Sequence, residues 1–455
     1  MRVTLVTIGS RGDVEPYVAL GCALAGAGHT VRVATSEPFG DFVRARGLDF
    51  VRLGGDIKHM VGDEGRAALA AAGSNVMRTF SALRRYLGPL IREALDALDG
   101  ALSASDVVIG HVLVPGAASY ARERGIAYLD AAYVPVLPTR HFAHPGAPVG
   151  TPRGIPSLLS HFVAEQILWQ AFRGDVDAFR RRVLGLGASS FFGPHTLRID
   201  RRPAWLFAFS PEVVAKPRDW PPHAFVTGYW FLDPVDAWTP PRELTQFLEA
   251  GEPPIYVGFG SMTAHRSADK TLAVLAALKK AGRRGLIATG WGGLTKVATD
   301  DSVMFIGDVP HAWLFPRVAA ALHHGGAGTT AAAFRAGIPQ MAIPFLADQP
   351  FWGHRIAMLG AGPEPLPIAQ VEPDRLQRGL ARLDTSAVRR AAAELGRRIR
   401  AERGAEAAVP LIEREAARAR PTSSAPTPRR WDGCASPSGS RCPGPSRTSR
   451  REWSE

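Results

Sequence analysis

The run LHHGGAGTT, residues 322–330, decides how the rest of the chain is read. Just before it, the apolar segment VAAAL at 318–322 is of the kind that forms a buried parallel strand. Gly325, Gly326 and Gly328 let the backbone turn tightly and come close to a ligand, and Gly328, Thr329 and Thr330 open a helix of small residues. A helix N-terminus presents unpaired N–H groups and a partial positive charge, which suits it to a phosphate. His324 and the Thr329 hydroxyl are expected to add side-chain donors there. His323, one residue earlier, should turn the other way and pack, because neighbouring side chains on a strand alternate. Farther on, IPQMAIP at 338–344 predicts the next strand, with Asp348 and Gln349 just past its end. Open α/β sheets bind ligands beyond the carboxyl ends of their strands. The two segments therefore aim at one place, with phosphate donors from the first and a carboxylate and an amide from the second.

The same grammar runs through the rest of the chain. Residues 2–8 form a β-branched run suited to a central parallel strand, ending in GSRGD at 9–13. An amphipathic helix is expected over 14–27 and a second strand over 30–34, a β-α-β unit that opens a doubly wound domain. The loop lacks the full G-x-G-x-x-G spacing of a dinucleotide site and places a charge at the turn. Asp13 thus sits at a strand's carboxyl end beside a helix N-terminus, where a carboxylate is favourable. From position alone it reads as an N-cap or first-turn acid. Strands are expected over 105–114 and 125–130 with a helix between them, and His111 reads as a packed residue near the expected cleft.

Residues 133–156 turn to Pro, Gly, His and Thr, and the proline-rich loop 135–145 within them cannot form regular structure; the apolar helix expected over 158–172 follows. Strands at 205–210 and 224–228 end the first half. The second half starts near Leu244, with strands at 254–259, 284–290 and 303–307. Gly260, Ser261 and Met262 form a second short loop before a helix, read equally as a plain cap or a phosphate contact. Residues 384–418 are rich in Ala, Arg and Glu and predict helix. The low-complexity tail beyond 420 should be disordered.

The full run HHGGAGTTAAAFRAGIPQMAIPFLADQPFWGHRI, residues 323–356, resembles the nucleotide-sugar signature of the family 1 glycosyltransferases. Its closest likeness is to the bacterial antibiotic and sterol 3-β-glucosyltransferase branch, and it extends over about the first 400 residues. The resemblance implies two doubly wound Rossmann-like α/β domains facing each other across a cleft, the B-type glycosyltransferase arrangement. Residues 1–228 would bind the acceptor, 229–243 would link, 244–383 would bind the nucleotide sugar and 384–418 would cross back as helix. The segment 419–455 lies outside the likeness.

Residue roles follow from the same resemblance. The aspartate of the matching GSRGDVEP loop acts as general base in the antibiotic branch, which would make Asp13 the base, with Ser10 and Arg11 as loop partners. Plant relatives place a histidine a little beyond this strand, whereas no histidine precedes His29 here. Gly260 and Ser261 would face the donor phosphates, while His324, Gly325, Gly326, Gly328 and Thr329 would hold the diphosphate. Asp348 and Gln349 would orient the sugar. GWGGL at 290–294 matches the sterol-transferring branch, and DVPHAWLFP at 308–316 aligns with the segment that brackets the base. The plant pattern has a stacking Trp there; with Asp308 and Val309 in its place, base recognition falls to the backbone of Val309. The loop 133–156 would wall the acceptor pocket, and Tyr133, Phe142, Trp169 and Phe172 suggest a lipophilic acceptor.

Composition narrows the alternatives. A chain of 455 residues is too long for one ordinary core. With 46% hydrophobic and 21% charged residues it has a globular composition. No apolar run is long enough for a membrane helix, and the N-terminus lacks a secretory pattern, so a cytoplasmic protein with at most peripheral membrane contact is expected. Cys22, Cys434 and Cys442 give neither a disulfide framework nor a metal-ligand spacing. The net charge of +12 includes eight Arg against three acids in residues 418–455, and Arg outnumbers Lys 48 to 6, so the charge does not mark a nucleic-acid surface.

The expected reaction is inverting transfer of a hexose from a nucleoside-diphosphate sugar to a hydroxyl of a small lipophilic acceptor. UDP-glucose and a TDP-sugar stay open as donors, sterol-, polyketide- and antibiotic-like compounds as acceptors, and the oligomeric state is open as well. No cofactor or metal is expected, the helix dipole and His324 standing in for one. The rival readings are a nucleotide-sugar epimerase of the UDP-GlcNAc 2-epimerase type and a non-catalytic glycosyltransferase-like auxiliary protein. The epimerase would need neither an apolar acceptor wall nor a base at Asp13.

Overall fold

The computed structural model describes residues 1–55, 75–193, 203–233, 238–259, 267–289 and 296–419, with a few single positions between 62 and 72 and Leu294. Residues 1–420 pack as one compact unit. The expectations for GWGGL at 290–294 and for the tail fall almost entirely outside the described residues, as do Gly260 and Ser261.

Two parallel sheets organise the unit, as a doubly wound α/β reading requires. The first holds β1 (Arg2–Val6), β2 (Thr30–Thr35), β3 (Asp49–Arg52), β4 (Val107–His111), β5 (Ala127–Ala132), β6 (Ala204–Phe207) and β7 (Ala224–Val226), in the order β3-β2-β1-β4-β5-β6-β7. The second holds β8 (Ile255–Gly258), β9 (Gly285–Ala288), β10 (Val303–Ile306), β11 (Ala320–His323) and β12 (Gln340–Ala342), in the order β10-β9-β8-β11-β12. The central strands are apolar on both faces because helices cover both, as in Val107 to His111, where every residue is buried. Val3 of β1 pairs with Val31 on one side and Val107 on the other, and His323 of β11 pairs with Gly258 of β8. Strand order reverses between β1 and β4 and again between β8 and β11. Such switch points open a crevice at the carboxyl ends of the strands.

Seven helices carry the packing that matters for the site: α1 (Arg11–Gly26), α2 (Gly88–Leu102), α3 (Ile155–Leu184), α4 (Ala327–Ala336), α5 (Gln349–Met358), α6 (Ser386–Ala401) and α7 (Gly404–Ala419). Three expectations are corrected. First, α1 begins at Arg11 rather than Val14, because Ser10 takes the extended N-cap conformation and Asp13 reaches back to its N–H. Second, the helix expected to end at Phe172 runs on to Leu184, since Val176 and Phe179 keep the buried face going until Gly185 closes it at φ 66°. Third, residues 384–418 form two helices and not one. The chain is extended at Glu402, and Gly404 lies so close to Gly228 that an added Cβ would stand 2.5 Å from the Gly228 carbonyl carbon.

The break at Glu402 turns α7 onto the first sheet. Ala405, Ala408, Val409, Ile412 and Ala416 are buried in the same cluster as Val3, Leu5, Val14 and Val18. A second cluster is shared by the two halves and joins Phe207, Phe209 and Trp220 to Phe334, Trp352 and Ile399. Among the described residues no helix is long and apolar enough to cross a membrane.

Candidate functional site

The first switch point holds the Asp13 carboxylate. Oδ2 accepts the Ser10 N–H at 2.6 Å and the Ser10 hydroxyl at 2.8 Å, and Oδ1 accepts the Tyr133 hydroxyl. The Thr7 hydroxyl donates to the Asp13 carbonyl at 3.0 Å, fixing the backbone at the same point. Gly9 makes this possible: at φ 143° it has no Cβ, and one placed there would stand 2.3 Å from Asp13 Oδ2. Asp13 therefore does act as a first-turn cap, while its other oxygen faces the end of β5. Beside it the Tyr133 ring stacks on His111 at 5.6 Å, and His111 meets the edge of Tyr17 at 5.8 Å. Burial, and then the charge of Asp13, push the Tyr133 hydroxyl well above its ordinary pKa. Burial lowers His111, with Asp13 opposing, and its Nδ1 has no partner. Arg11 points elsewhere: it pairs with Glu15 at 2.9 Å and with Asp308 of the second half at 3.4 Å.

The second switch point holds the glycine turn. Helix α4 starts at Ala327 on a Gly326 N-cap, one residue earlier than expected, and the Thr330 N–H is the first to find a backbone partner, Gly326 O at 3.0 Å. The N–H groups of Ala327, Gly328 and Thr329 thus stand at the open helix end. Gly328 is exposed with free space beside its Cα, and Thr329 is partly exposed. His323 is fully buried; its Nδ1 accepts the Gly325 N–H at 3.0 Å, so the protonated Nε2 donates to Gln340 Oε1 at 2.8 Å. His324 lies on the other side, with Nε2 over Gly326, where a Cβ would come within 2.4 Å of it. Burial, followed by His323 and His311, pushes His324 down to about 3, so its ring is neutral.

The loop after β12 packs against this turn. A Cβ on Gly325, at φ 86°, would lie 2.9 Å from the Gln349 carbonyl oxygen. Asp348 Oδ2 accepts the Trp352 indole N–H at 2.7 Å; burial nevertheless raises the carboxyl to about 6, with the charge of Asp13 adding to it. Gln349 Oε1 accepts the Phe345 and Leu346 N–H groups at 2.7 and 3.1 Å. That caps a loop in which Ala347 has φ 56°, the one non-glycine residue with positive φ among those described. Only the amide NH2 of Gln349 is left for a ligand. The Val309 side chain is buried in the core of the second half.

The two switch points face each other. Asp13 is near enough for its charge to act on Asp348, Phe142 meets Phe351 at 5.7 Å, and Arg11 reaches Asp308. Ser10, Asp13, His324, the glycine turn, Asp348 and Gln349 are thereby brought to one cleft. The sequence reading placed Gly9 in the loop without giving it a role and weighed Tyr133 only as a wall residue. A Gly at the end of β1 was a visible signal, but Tyr133 lies 120 positions from Asp13 and only the sheet order joins them.

Comparisons with known proteins agree with this layout. The glycosyltransferase family 28 N-terminal domain matches residues 3–136, and the erythromycin biosynthesis protein CIII-like C-terminal domain matches residues 293–413. The sterol 3-beta-glucosyltransferase UGT80B1 of Arabidopsis thaliana is 34% identical over 420 residues, covering 91% of this chain and 68% of that protein. A sterol 3-beta-glucosyltransferase of Cryptococcus neoformans is 33% identical over 444 residues, covering 91% of this chain but 27% of the fungal protein. Among solved structures, the glycosyltransferase VinC in complex with DTDP superposes with a TM-score of 0.64 at 20% identity, over 92% of this chain and all of that one. SnogD of Streptomyces nogalater gives 0.59 at 20% identity, over 91% and 99%. At such identities the solved structures speak to the fold.

Proposed function

Because the chain belongs to the family 1 glycosyltransferases, we propose that it transfers a hexose from UDP-glucose or a TDP-sugar to a hydroxyl of a sterol-like or polyketide-like acceptor, with inversion. The observation that carries this reading is the pairing of the Asp13 carboxylate at one switch point with the open helix end and the Asp348 loop at the other. The acceptor oxygen attacks the anomeric carbon, the bond from that carbon to the diphosphate oxygen breaks, and Asp13 takes the acceptor's proton. Proton transfer by such a base typically contributes about 10²–10⁴-fold.

The diphosphate would lie on the N–H groups of Gly328 and Thr329 beside Gly325 and Gly326. Its growing charge would meet the positive end of α4 beside the neutral His324 ring. Asp348 and the Gln349 amide would hold the sugar hydroxyls, and the Val309 backbone the base. Ser261 would add a phosphate contact from residues outside those described. The apolar acceptor is supported by the sterol-acting relatives and by the meeting of Phe142 with Phe351 across the two halves.

The test is a matrix of UDP- and TDP-hexoses against sterol and macrolide acceptors, read by mass spectrometry with and without EDTA. Product heavier than the acceptor by one hexose, formed equally in EDTA, is the expected result. Donor epimerised without acceptor, or no turnover with any pair, would overturn the proposal.

A further inference from the structure

Resting on the reading of Asp13 as the acceptor base, we infer that Tyr133 is a positioning residue that leaves the base a single open lone pair. An ionised carboxylate offers about four lone-pair sites. Ser10 fills two on Oδ2, through its N–H at 2.6 Å and its hydroxyl at 2.8 Å, and the Tyr133 hydroxyl fills one on Oδ1. One site remains, on the oxygen that Tyr133 already holds. An acceptor hydroxyl must therefore approach Oδ1 beside the phenol, along one direction.

The phenol is itself fixed. Its ring is stacked on His111 at an interplanar angle of 17°, and His111 is held edge-on by Tyr17, whose hydroxyl donates to the Ala131 carbonyl at 2.8 Å. Tyr133 stays neutral, because burial and the charge of Asp13 oppose its ionisation. It can donate a hydrogen bond but cannot replace Asp13 as base. Tyr133 thus aims the base by holding Oδ1 in one orientation. The other groups facing Asp13 are His111, kept neutral by burial, Tyr17 on the same helix, and Asp348 across the cleft.

Tyr133→Phe removes the hydroxyl and keeps the ring stack. Losing the donor frees Oδ1 to turn away from the acceptor hydroxyl, so kcat should fall about ten-fold with donor KM unchanged. Incorporating 3-fluorotyrosine at 133 keeps both ring and donor and should hold kcat within about two-fold of wild type. A Tyr133→Phe protein with wild-type kcat, or one whose donor KM changes while kcat does not, would overturn the inference. Asp13→Asn separates the two levels. If it retains wild-type turnover, the base reading falls and takes the inference with it. If it loses about 10²–10⁴-fold while Tyr133→Phe matches wild type, only the inference falls.

Discussion

Truncating His323 and His324 separately should separate folding from binding, although the two are adjacent. His323 is fully buried and bridges the Gly325 N–H to Gln340 Oε1. In His323→Ala both groups lose their partner inside the core, at about 1–3 kcal/mol each, so a loss of about 3–5 kcal/mol of stability is expected once the cavity is included. His324 ties less of the core together: its ring interacts with the Gly258 backbone, and its Nε2 lies over Gly326 at the open helix end. His324→Ala should therefore melt close to wild type. It should lose a hydrogen bond to a charged ligand, about 1.5–3 kcal/mol, which raises the Kd for UDP or TDP about 10- to 150-fold. Titration calorimetry with free nucleotide and thermal melts on both variants make the comparison. Equal losses of affinity, or a loss confined to the His323 variant, would mean that the phosphate does not sit at this helix end.

The remaining expectations concern geometry and pH. Gly9→Ala should lower turnover about 100-fold with little change in nucleotide affinity, because its Cβ would stand 2.3 Å from Asp13 Oδ2 and displace the carboxylate; wild-type kinetics in this variant would remove Asp13 from the mechanism. Burial raises Asp348 to about 6, and sugar hydroxyls favour its charged form. The affinity for the nucleotide sugar should thus fall about ten-fold per pH unit below pH 6, while that for free nucleotide does not follow; parallel pH profiles would place the sugar elsewhere. His323 is held down to about 4 from an ordinary 6.5, so the unfolded chain binds the extra proton. The His323 contribution is complete above about pH 6.5 and falls by about 3 kcal/mol by pH 4. The raised Asp348 offsets a similar amount, and the buried His311 and His324, lowered to about 4 and about 3, add losses of the same sign, so net stability should fall over this window. A melting temperature flat across that window would contradict the burial of this group of imidazoles.

Much of the architecture was legible because parallel strands buried on both faces announce themselves as short apolar runs, and Gly-rich turns follow them. Boundaries were less legible where tertiary contacts set them. The start of α1 depends on Asp13 reaching Ser10, and the split at Glu402 depends on Gly404 meeting Gly228. Ser10, Asp13, the glycine turn, Asp348 and Gln349 lie close together, yet their availability could not be read from residue type. Gln349 looked like a free amide, but half of it caps its own loop. Arg11 looked like a partner of Asp13 and instead spans to Asp308. Tyr133 needed the order of β1, β4 and β5 before its hydroxyl could be assigned to Asp13.

The return of α7 to the first sheet has a consequence for synthesis. Ala408, Val409 and Ile412 complete the wall over Val3, Leu5 and Val18, so the first sheet stays open on that side until residues 404–419 have left the ribosome. The last strand of that sheet ends at Val226, and at about 5–20 residues per second the delay is on the order of ten to forty seconds. During that interval an apolar surface designed for a helix has none. The nascent chain is then a natural client for a holding chaperone, and a ribosome that stops before codon 404 releases a chain whose first domain lacks its lid.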